Sequence, residues 1–175
     1  MLTIINIFPI FKKHFESLKE DANIISILLL FILIPLLGSA IFIFFNFFIT
    51  SSIINSLIAT FSILVGFCIN VLILLLGLKK RKIEIENKLV EHLSYNVLYE
   101  LIIGLLILFI SFVFLIILPK IHYHLLLLMS GVLYFLVFNF LFTLVMISKR
   151  IYALLYMKLK DNSDVIRWHP QNQQD

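Results

Sequence analysis

Few side chains in this sequence could carry chemistry, and the most conspicuous one is Glu100, the one carboxylate inside a long apolar run. An ionisable residue within a membrane span is by default a candidate functional residue. On a helix, Glu100 shares an arc of about 60° with Gly104, Ile107 and Ser111. It also lies about one turn from the end of its run, where the carboxylate could reach water or Lys149. We therefore predict a structural ion pair, with a functional carboxylate as the alternative.

Other polar residues in the apolar runs suggest hydrogen bonding rather than catalysis. Asn46, Asn70 and Asn139 would each need a partner in lipid, because an unpaired amide in hydrocarbon costs several kcal/mol. His122 and His124 are alternate residues, which do not share a helical face, and no cysteine or carboxylate lies nearby to complete a metal site. The spans contain no serine or aspartate pair such as an intramembrane protease needs, and the sequence contains no phosphate-binding glycine loop. We expect no enzyme, no cofactor and no metal site.

The composition indicates the element that must position these residues, a bundle of membrane-spanning helices. Hydrophobic residues make up 62% of the 175 residues, and the mean hydropathy is +1.09. A span needs about 20 apolar residues. The sequence contains four such runs, at residues 24–49, 53–78, 98–118 and 121–147. These runs predict an all-α, polytopic integral membrane protein with four transmembrane helices.

The positive charges predict how the helices are oriented. Every lysine and arginine except Lys120 falls before the first run, between the second and third, or after the fourth. Because basic residues favour the cytoplasmic side, both termini and the central loop are expected to be cytoplasmic, in a bacterial inner membrane. The single Cys68 excludes an intrachain disulfide. Two clusters could dock a partner or anionic lipid: Lys79, Lys80, Arg81, Lys82 and Lys88, and Lys149 with Arg150.

The segments outside the spans have their own patterns. Residues 1–23 show apolar residues at helical spacing against lysines and glutamates, which predicts an amphipathic helix in the membrane interface. A leader that is ordered only by a partner is the alternative. We assign residues 1–160 to one four-helix domain, with a cytoplasmic loop at 79–96 that holds helical extensions and a further extension at 148–160. Residues 161–175 are predicted to be a polar tail.

Small and polar residues indicate which helix faces pack. In the first run Pro35, Gly38, Ser39, Phe42 and Asn46 share one face, which should turn into the bundle and contain a mild kink. In the second run one arc of about 80° forms a predicted packing seam, and its members are Ala59, Ser62, Gly66, Asn70 and Gly77.

The fourth run has two polar faces. Ser130 and Tyr134 lie on one side, and Asn139 and Thr143 lie nearly opposite. One of these faces would point into lipid unless a second subunit covered it. This pattern predicts a homo-oligomer, for which a tetramer is one arrangement.

The layout resembles a known family. Four spans, cytoplasmic termini, a polar tail and a lysine-rich central loop leading into Tyr95, Asn96, Val97, Leu98, Tyr99 and Glu100 are similar to KwaA, the membrane subunit of the Kiwa antiphage system. The resemblance covers the whole chain as a layout, and it carries no motif that assigns a family role to any residue. It implies a homo-oligomeric inner-membrane scaffold that binds a cytoplasmic DNA-binding protein, KwaB, and registers phage attack.

Together these features predict a non-catalytic membrane scaffold or sensor that associates with itself and docks a cytoplasmic partner through residues 79–96 and the segment after Ser148. No direct binding of nucleic acid is expected. The competing class is an oligomeric channel or toxin-like pore, and a small-solute carrier ranks below it because the two halves show no repeat. Seven residues are candidates for helix packing or for lining a pore: Asn46, Ser62, Gly66, Asn70, Glu100, Gly104 and Asn139.

Overall fold

The computed structural model describes residues 7–21, 23–77, 84–120 and 122–168, and over these ranges the chain is helical without strands. The five helices are α1 (Phe8–Asp21), α2 (Ile24–Phe44), α3 (Ser51–Gly77), α4 (Glu84–Ile117) and α5 (Tyr123–Trp168). By length and composition, α2 to α5 can each cross a membrane. This confirms the prediction of an all-α protein with four helices able to span a membrane. Four such helices are typical of a multi-pass membrane protein.

The helices pack with α4 and α5 at the centre. α3 packs against α4, α2 packs against α5, and α1 packs against the first part of α4. The largest core cluster joins Phe61 of α3, Phe114 of α4 and Phe140 of α5, with the rings of Phe61 and Phe140 4.9 Å apart in an edge-on contact. We call the end that contains α1, the start of α4 and the end of α5 the charged end. The opposite end contains the connections at residues 45–50 and 118–122.

Helix α2 changes its winding just before Pro35. Residues Leu29–Leu33 form a π-helical segment, and α-helix resumes at Ile34. Proline has no backbone N–H to donate to the carbonyl four residues earlier, so a neighbouring group must satisfy that carbonyl. Pro35 and Ser39 are buried, and a Cβ added to Gly38 would lie 2.9 Å from Phe138 on α5. This part of the predicted inward face does contact the bundle.

The prediction that α2 extends to residue 49 is wrong. The helix ends at Phe44, and Asn46 takes a left-handed conformation with φ 59°. Its N–H donates to the Ile43 carbonyl, and the Phe47 N–H donates to the Phe42 carbonyl, each at 2.9 Å. This pair of bonds is a Schellman cap, a position at which asparagine is favoured after glycine. Asn46 is therefore an exposed capping residue and does not line a helix interface.

Helices α4 and α5 are longer than their apolar runs. α4 begins at Glu84, and α5 continues to Trp168, so much of the segments assigned to a loop and to a tail is helical. Leu93 and Val97 on α4 pack with Ile147 and Leu154 on α5, and this contact extends the bundle past the apolar runs. The predicted docking residues Lys79, Lys80, Arg81 and Lys82 lie outside the described residues.

Candidate functional site

Buried polar side chains gather at the charged end of the bundle. We call them the polar cluster, and they come from three helices: His14 and Ser17 on α1, Asn96, Tyr99 and Glu100 on α4, and Asn139, Thr143 and Arg150 on α5. Each is at most 6% exposed. A membrane protein rarely buries so many polar groups without a structural or functional reason.

His14 joins α1 to α4. Its Nδ1–H donates to Oδ1 of Asn96 at 2.8 Å, and its ring stacks on Tyr99 with centroids 3.8 Å apart and planes 3° from parallel. Burial lowers the pKa of His14 to about 4, the hydrogen bond with Asn96 acts in the opposite direction, and the charge of Arg150 lowers the pKa further. The histidine is therefore neutral at physiological pH. Nε2 of His14 and Nδ2 of Asn96 have no partner among the described residues.

Asn139 supplies the group that Pro35 requires. Its Nδ2 donates to the Phe31 carbonyl on α2 at 2.9 Å, and this is the carbonyl that residue 35 would satisfy in a regular α-helix. The Tyr99 hydroxyl donates to Oδ1 of Asn139 at 3.0 Å. The side-chain amide of Asn139 thus links the π-helical segment of α2 to Tyr99 of α4.

Two further contacts fasten α1 to the bundle. Arg150 donates to the Ser17 hydroxyl from Nη1 and to the Ser17 carbonyl from Nη2, the latter at 3.0 Å. Nearer solvent, Glu20 pairs with Lys88 at 2.8 Å and lies 3.9 Å from His92. Lys88 and Arg150, both predicted as docking residues, therefore make contacts that position α1. Lys149 is exposed.

The predicted ion pair of Glu100 with Lys149 is wrong. Glu100 is 0% exposed, and neither carboxylate oxygen has a hydrogen-bond partner among the described residues. Thr143 lies beside the carboxyl group, but its hydroxyl donates to the Asn139 carbonyl at 3.1 Å. The lysine amine cannot reach a carboxylate that is enclosed by the bundle. Glu100 is thus the polar group that the fold satisfies least, and it is the strongest candidate for a functional residue.

The predicted arc of Glu100 is the inward face of α4. Ile107 and Ser111 are fully buried. A Cβ on Gly104 would lie 2.8 Å from Cγ2 of Val65 on α3 and 3.1 Å from Phe140 on α5. Gly104 is therefore a helix-packing residue, at a point where α3, α4 and α5 approach one another closely.

The two polar faces of α5 do not leave one face for a second subunit. Ser130 and Thr143 are 0% exposed, Asn139 is 6% exposed, and Tyr134 is partly buried in the core. α4 covers one side of α5 while α2 covers the other, and the Ser130 hydroxyl accepts the Ile49 N–H at 3.2 Å. The expectation that one polar face of α5 would point into lipid is therefore wrong, because the chain covers both faces itself, and self-association stays a prediction without this support.

The seam predicted on α3 is also not packed within the chain. Ser62 and Asn70 are exposed, and nothing lies within 4 Å of a Cβ built on Gly66. α3 turns a different face to α4, formed by Ile54, Phe61, Val65, Cys68 and Leu75. The Ser62 hydroxyl donates to the Ile58 carbonyl at 2.7 Å, whereas Asn70 makes no side-chain hydrogen bond with the described residues.

The candidate residues for a pore are thus divided among different parts of the fold. Asn46 lies in a turn, Asn70 lies on the outer face of α3, and Glu100 and Asn139 lie inside the bundle. His14, Ser17 and Tyr99 were not identified as site residues from the sequence. The sequence feature that could have identified part of the cluster is a polar residue within an apolar helix face. His14 lies between Phe11 and Leu18 at helical spacing, and Asn96 lies one turn before Glu100.

The cluster holds helices together but does not assemble a reactive set. Within the described ranges, no group of three histidine, cysteine, aspartate or glutamate side chains is placed to bind a metal ion. Through His14 and Ser17 the polar cluster can fix the position of α1. In comparisons with known proteins, no family model matches the chain, and no curated protein and no solved structure matches it either.

Proposed function

We propose that the protein is a non-catalytic scaffold or sensor subunit of a bacterial inner membrane, which associates with itself and docks a soluble partner at its charged end. The proposed orientation places the charged end in the cytoplasm. It is supported by the distribution of lysine and arginine, of which only Lys120 falls at the opposite end.

The observation that carries the docking proposal is an exposed apolar stripe on α5 that follows Lys149 and Arg150. We call it the α5 stripe, and it consists of Tyr152, Leu155, Tyr156 and Leu159, which are 70%, 54%, 60% and 69% exposed. The spacing of three and four residues places them on one face of the helix. Large apolar side chains in this pattern typically insert into a hydrophobic groove of a partner.

The length of α5 supports a position of the stripe outside the hydrocarbon. The helix has 46 residues and is about 69 Å long at 1.5 Å per residue, more than twice the roughly 30 Å of a hydrocarbon core. Its apolar run ends before Lys149, so Leu159 lies about 15 Å further along the helix axis. A partner in the cytoplasm could reach the stripe there.

The self-association part of the proposal is supported by the outer face of α3 rather than by α5. Its members recur at alternating spacings of four and three residues, the repeat of helices that pair in a left-handed coil. Small residues at such positions allow two helices to approach closely in lipid. All are exposed or partly exposed: Ser52, Ser56, Ala59, Ile63, Gly66, Asn70, Ile73 and Gly77. A second copy would give Asn70 a hydrogen-bonding partner.

The proposal includes an antiphage role, with a KwaB-like DNA-binding protein as the partner, because the layout of the chain resembles that of KwaA. The competing proposal, an oligomeric pore, would need Glu100 on a water-filled path, whereas the single chain encloses this residue completely. A scaffold predicts liposomes that retain their ions. Ion flux that changes in Glu100→Gln would favour the pore instead.

The deciding experiment purifies the tagged full-length chain from its native host in mild detergent and sizes the complexes by native mass spectrometry. One variant replaces all four residues of the α5 stripe with serine. The matched control, Tyr152→Phe with Tyr156→Phe, keeps the apolar surface and removes only the hydroxyl groups. We expect a stoichiometric cytoplasmic companion with the unaltered chain and the control, and its loss in the serine variant. A companion that persists in the serine variant, or no companion with any of the three, would overturn the docking proposal.

A further inference from the structure

A large groove opens at the charged end between α1, α2 and α5, and Leu89 of α4 also lines it. Its volume is about 670 Å³, within the range of small-molecule sites. Leu18 of α1 closes one side of the groove. The walls are apolar, and the residues that define them are Ile27, Leu30, Phe142, Val145 and Met146.

The groove has one basic end. Lys149, Arg150 and Ser26 line it, and among the described residues of the lining there is no aspartate or glutamate. Arg150 already donates to Ser17, so it contributes positive charge while it holds α1. Lys149 is exposed and forms no ion pair with the described residues. Its amine and the hydroxyl of Ser26 are available to an anionic group.

The basic end lies where an inner-leaflet headgroup would lie. On α5 the apolar run of the fourth span ends at Ile147, two residues before Lys149, and lysines at such positions meet the phosphates of the inner leaflet. Phe142, Val145 and Met146 precede Lys149 on the same face of α5 at spacings of three and four residues. The groove therefore continues from the headgroup level into the hydrocarbon.

We propose that this groove binds one anionic phospholipid, with the phosphate at Lys149 and Ser26 and an acyl chain along Phe142, Val145 and Met146. Charge complementarity selects the occupant, because the described residues of the lining carry two positive charges and no negative one. The bound lipid contacts α1, α2 and α5 at once. It therefore stabilises the position of α1 over the polar cluster. This inference does not depend on a protein partner.

The test uses the full-length chain in nanodiscs of phosphatidylcholine with a minor fraction of phosphatidylglycerol, followed by native mass spectrometry of the lipid that stays bound. We expect one retained phosphatidylglycerol per chain. In Lys149→Ser its retention should fall about fivefold, the effect of removing one charge near a membrane surface. Lys120→Ser is the matched control, because it removes an exposed lysine at the opposite end and should leave retention unchanged.

A second variant separates a built site from general attraction to the membrane. Met146→Trp fills the groove without changing its charge, so it should lose the bound phosphatidylglycerol while Lys149 is still present. Helix content and chain stoichiometry, measured beside it, establish that the variant has folded. Equal retention of phosphatidylcholine by the unaltered chain would overturn the proposal, as would full retention of phosphatidylglycerol in both Lys149→Ser and folded Met146→Trp.

Discussion

The polar cluster and the outer face of α3 contain the same kinds of residue and have opposite surroundings. Asn139 is 6% exposed and bonds to two other helices, whereas Asn70 is exposed and makes no side-chain hydrogen bond with the described residues. Both amides occur inside apolar runs, where each needs a partner. The sequence therefore indicates which polar groups need a partner. The packing of the helices decides which of these groups find that partner within the same chain.

The largest effect should come from comparing the glycines of the two regions. Gly104→Leu should lower the free energy of unfolding by about 3 kcal/mol, because its Cβ would lie 2.8 Å from Val65 and 3.1 Å from Phe140. Gly66→Leu should change the same quantity by less than about 0.5 kcal/mol, because nothing lies within 4 Å of its Cβ. Denaturation in mixed micelles measures both.

Native mass spectrometry of the same two variants measures the association of one chain with another. Gly66→Leu should remove the association of one chain with another while the single chain remains folded. If Gly66→Leu destabilised the single chain as much as Gly104→Leu, the outer face of α3 would have to be packed within the chain, and the contrast between the two regions would be lost.

An intermediate effect should follow from acidification, which acts on the polar cluster and not on the outer face of α3, because that face has no titratable residue. The pKa of His14 is lowered to about 4 by burial, below its usual value of roughly 6.5. The docked state of α1 thus binds its proton less readily than the undocked state. The contribution of neutral His14 to the free energy of docking α1 is fully present above about pH 6.5 and is lost as the pH falls towards 4. Between pH 8 and pH 5 this loss is about 2 kcal/mol.

Spin labels at Lys13 on α1 and Glu91 on α4, both exposed positions, would report this change as a broader distribution of distances by electron paramagnetic resonance. Arg150 is the charged group that faces His14 from α5, and it stays protonated throughout this pH range. His14→Phe keeps an aromatic ring on Tyr99 and cannot titrate. A distance distribution that broadened equally in His14→Phe would assign the change to another group.

The smallest effect should come from the asparagines. Asn139→Leu leaves the Phe31 carbonyl and the Tyr99 hydroxyl without their bonds and should cost about 1 kcal/mol in the free energy of unfolding, since interhelical hydrogen bonds average roughly 0.6 kcal/mol each. Asn70→Leu should leave this free energy unchanged and weaken association. Denaturation and native mass spectrometry are again the measurements.

A second substitution tests the proposed reason for Asn139. Pro35→Ala restores an N–H that can donate to the Phe31 carbonyl, so Asn139→Leu should cost less in a Pro35→Ala background than in the unaltered chain. A double-mutant cycle measures this coupling. Additive costs would show that Asn139 does not compensate for the proline.

Much of the fold could be predicted from local pattern. Runs of about 20 apolar residues specify helices that can span a membrane, because a backbone in lipid must satisfy its own hydrogen bonds. Pro35 predicted a mild kink in α2, and the structure has a π-helical segment just before the proline. Asn46 was misassigned because an apolar run does not show where a helix ends, and the Schellman cap uses a residue that also occurs inside helices.

The site could be predicted only in part. Glu100 was identified because a carboxylate in an apolar run stands out by itself. Its pairing with Lys149 was wrong, because side-chain reach along a chain does not reveal which groups the neighbouring helices enclose. The local signal of His14, a histidine within an apolar helix face, is weaker, since a histidine on an amphipathic helix becomes a buried residue only when that helix packs against α4.

Hydropathy and helical periodicity are properties of the chain alone, so the sequence was enough to predict which segments are helical and apolar enough to span a membrane, and which residues must find polar partners. It needed the packed bundle to show that α1 contacts α4 through His14, that Asn139 bonds to the Phe31 carbonyl before Pro35, and that α3 turns its small residues outward. These outcomes depend on which helices become neighbours. That choice is made by the fit of whole surfaces, and no local stretch of sequence contains it.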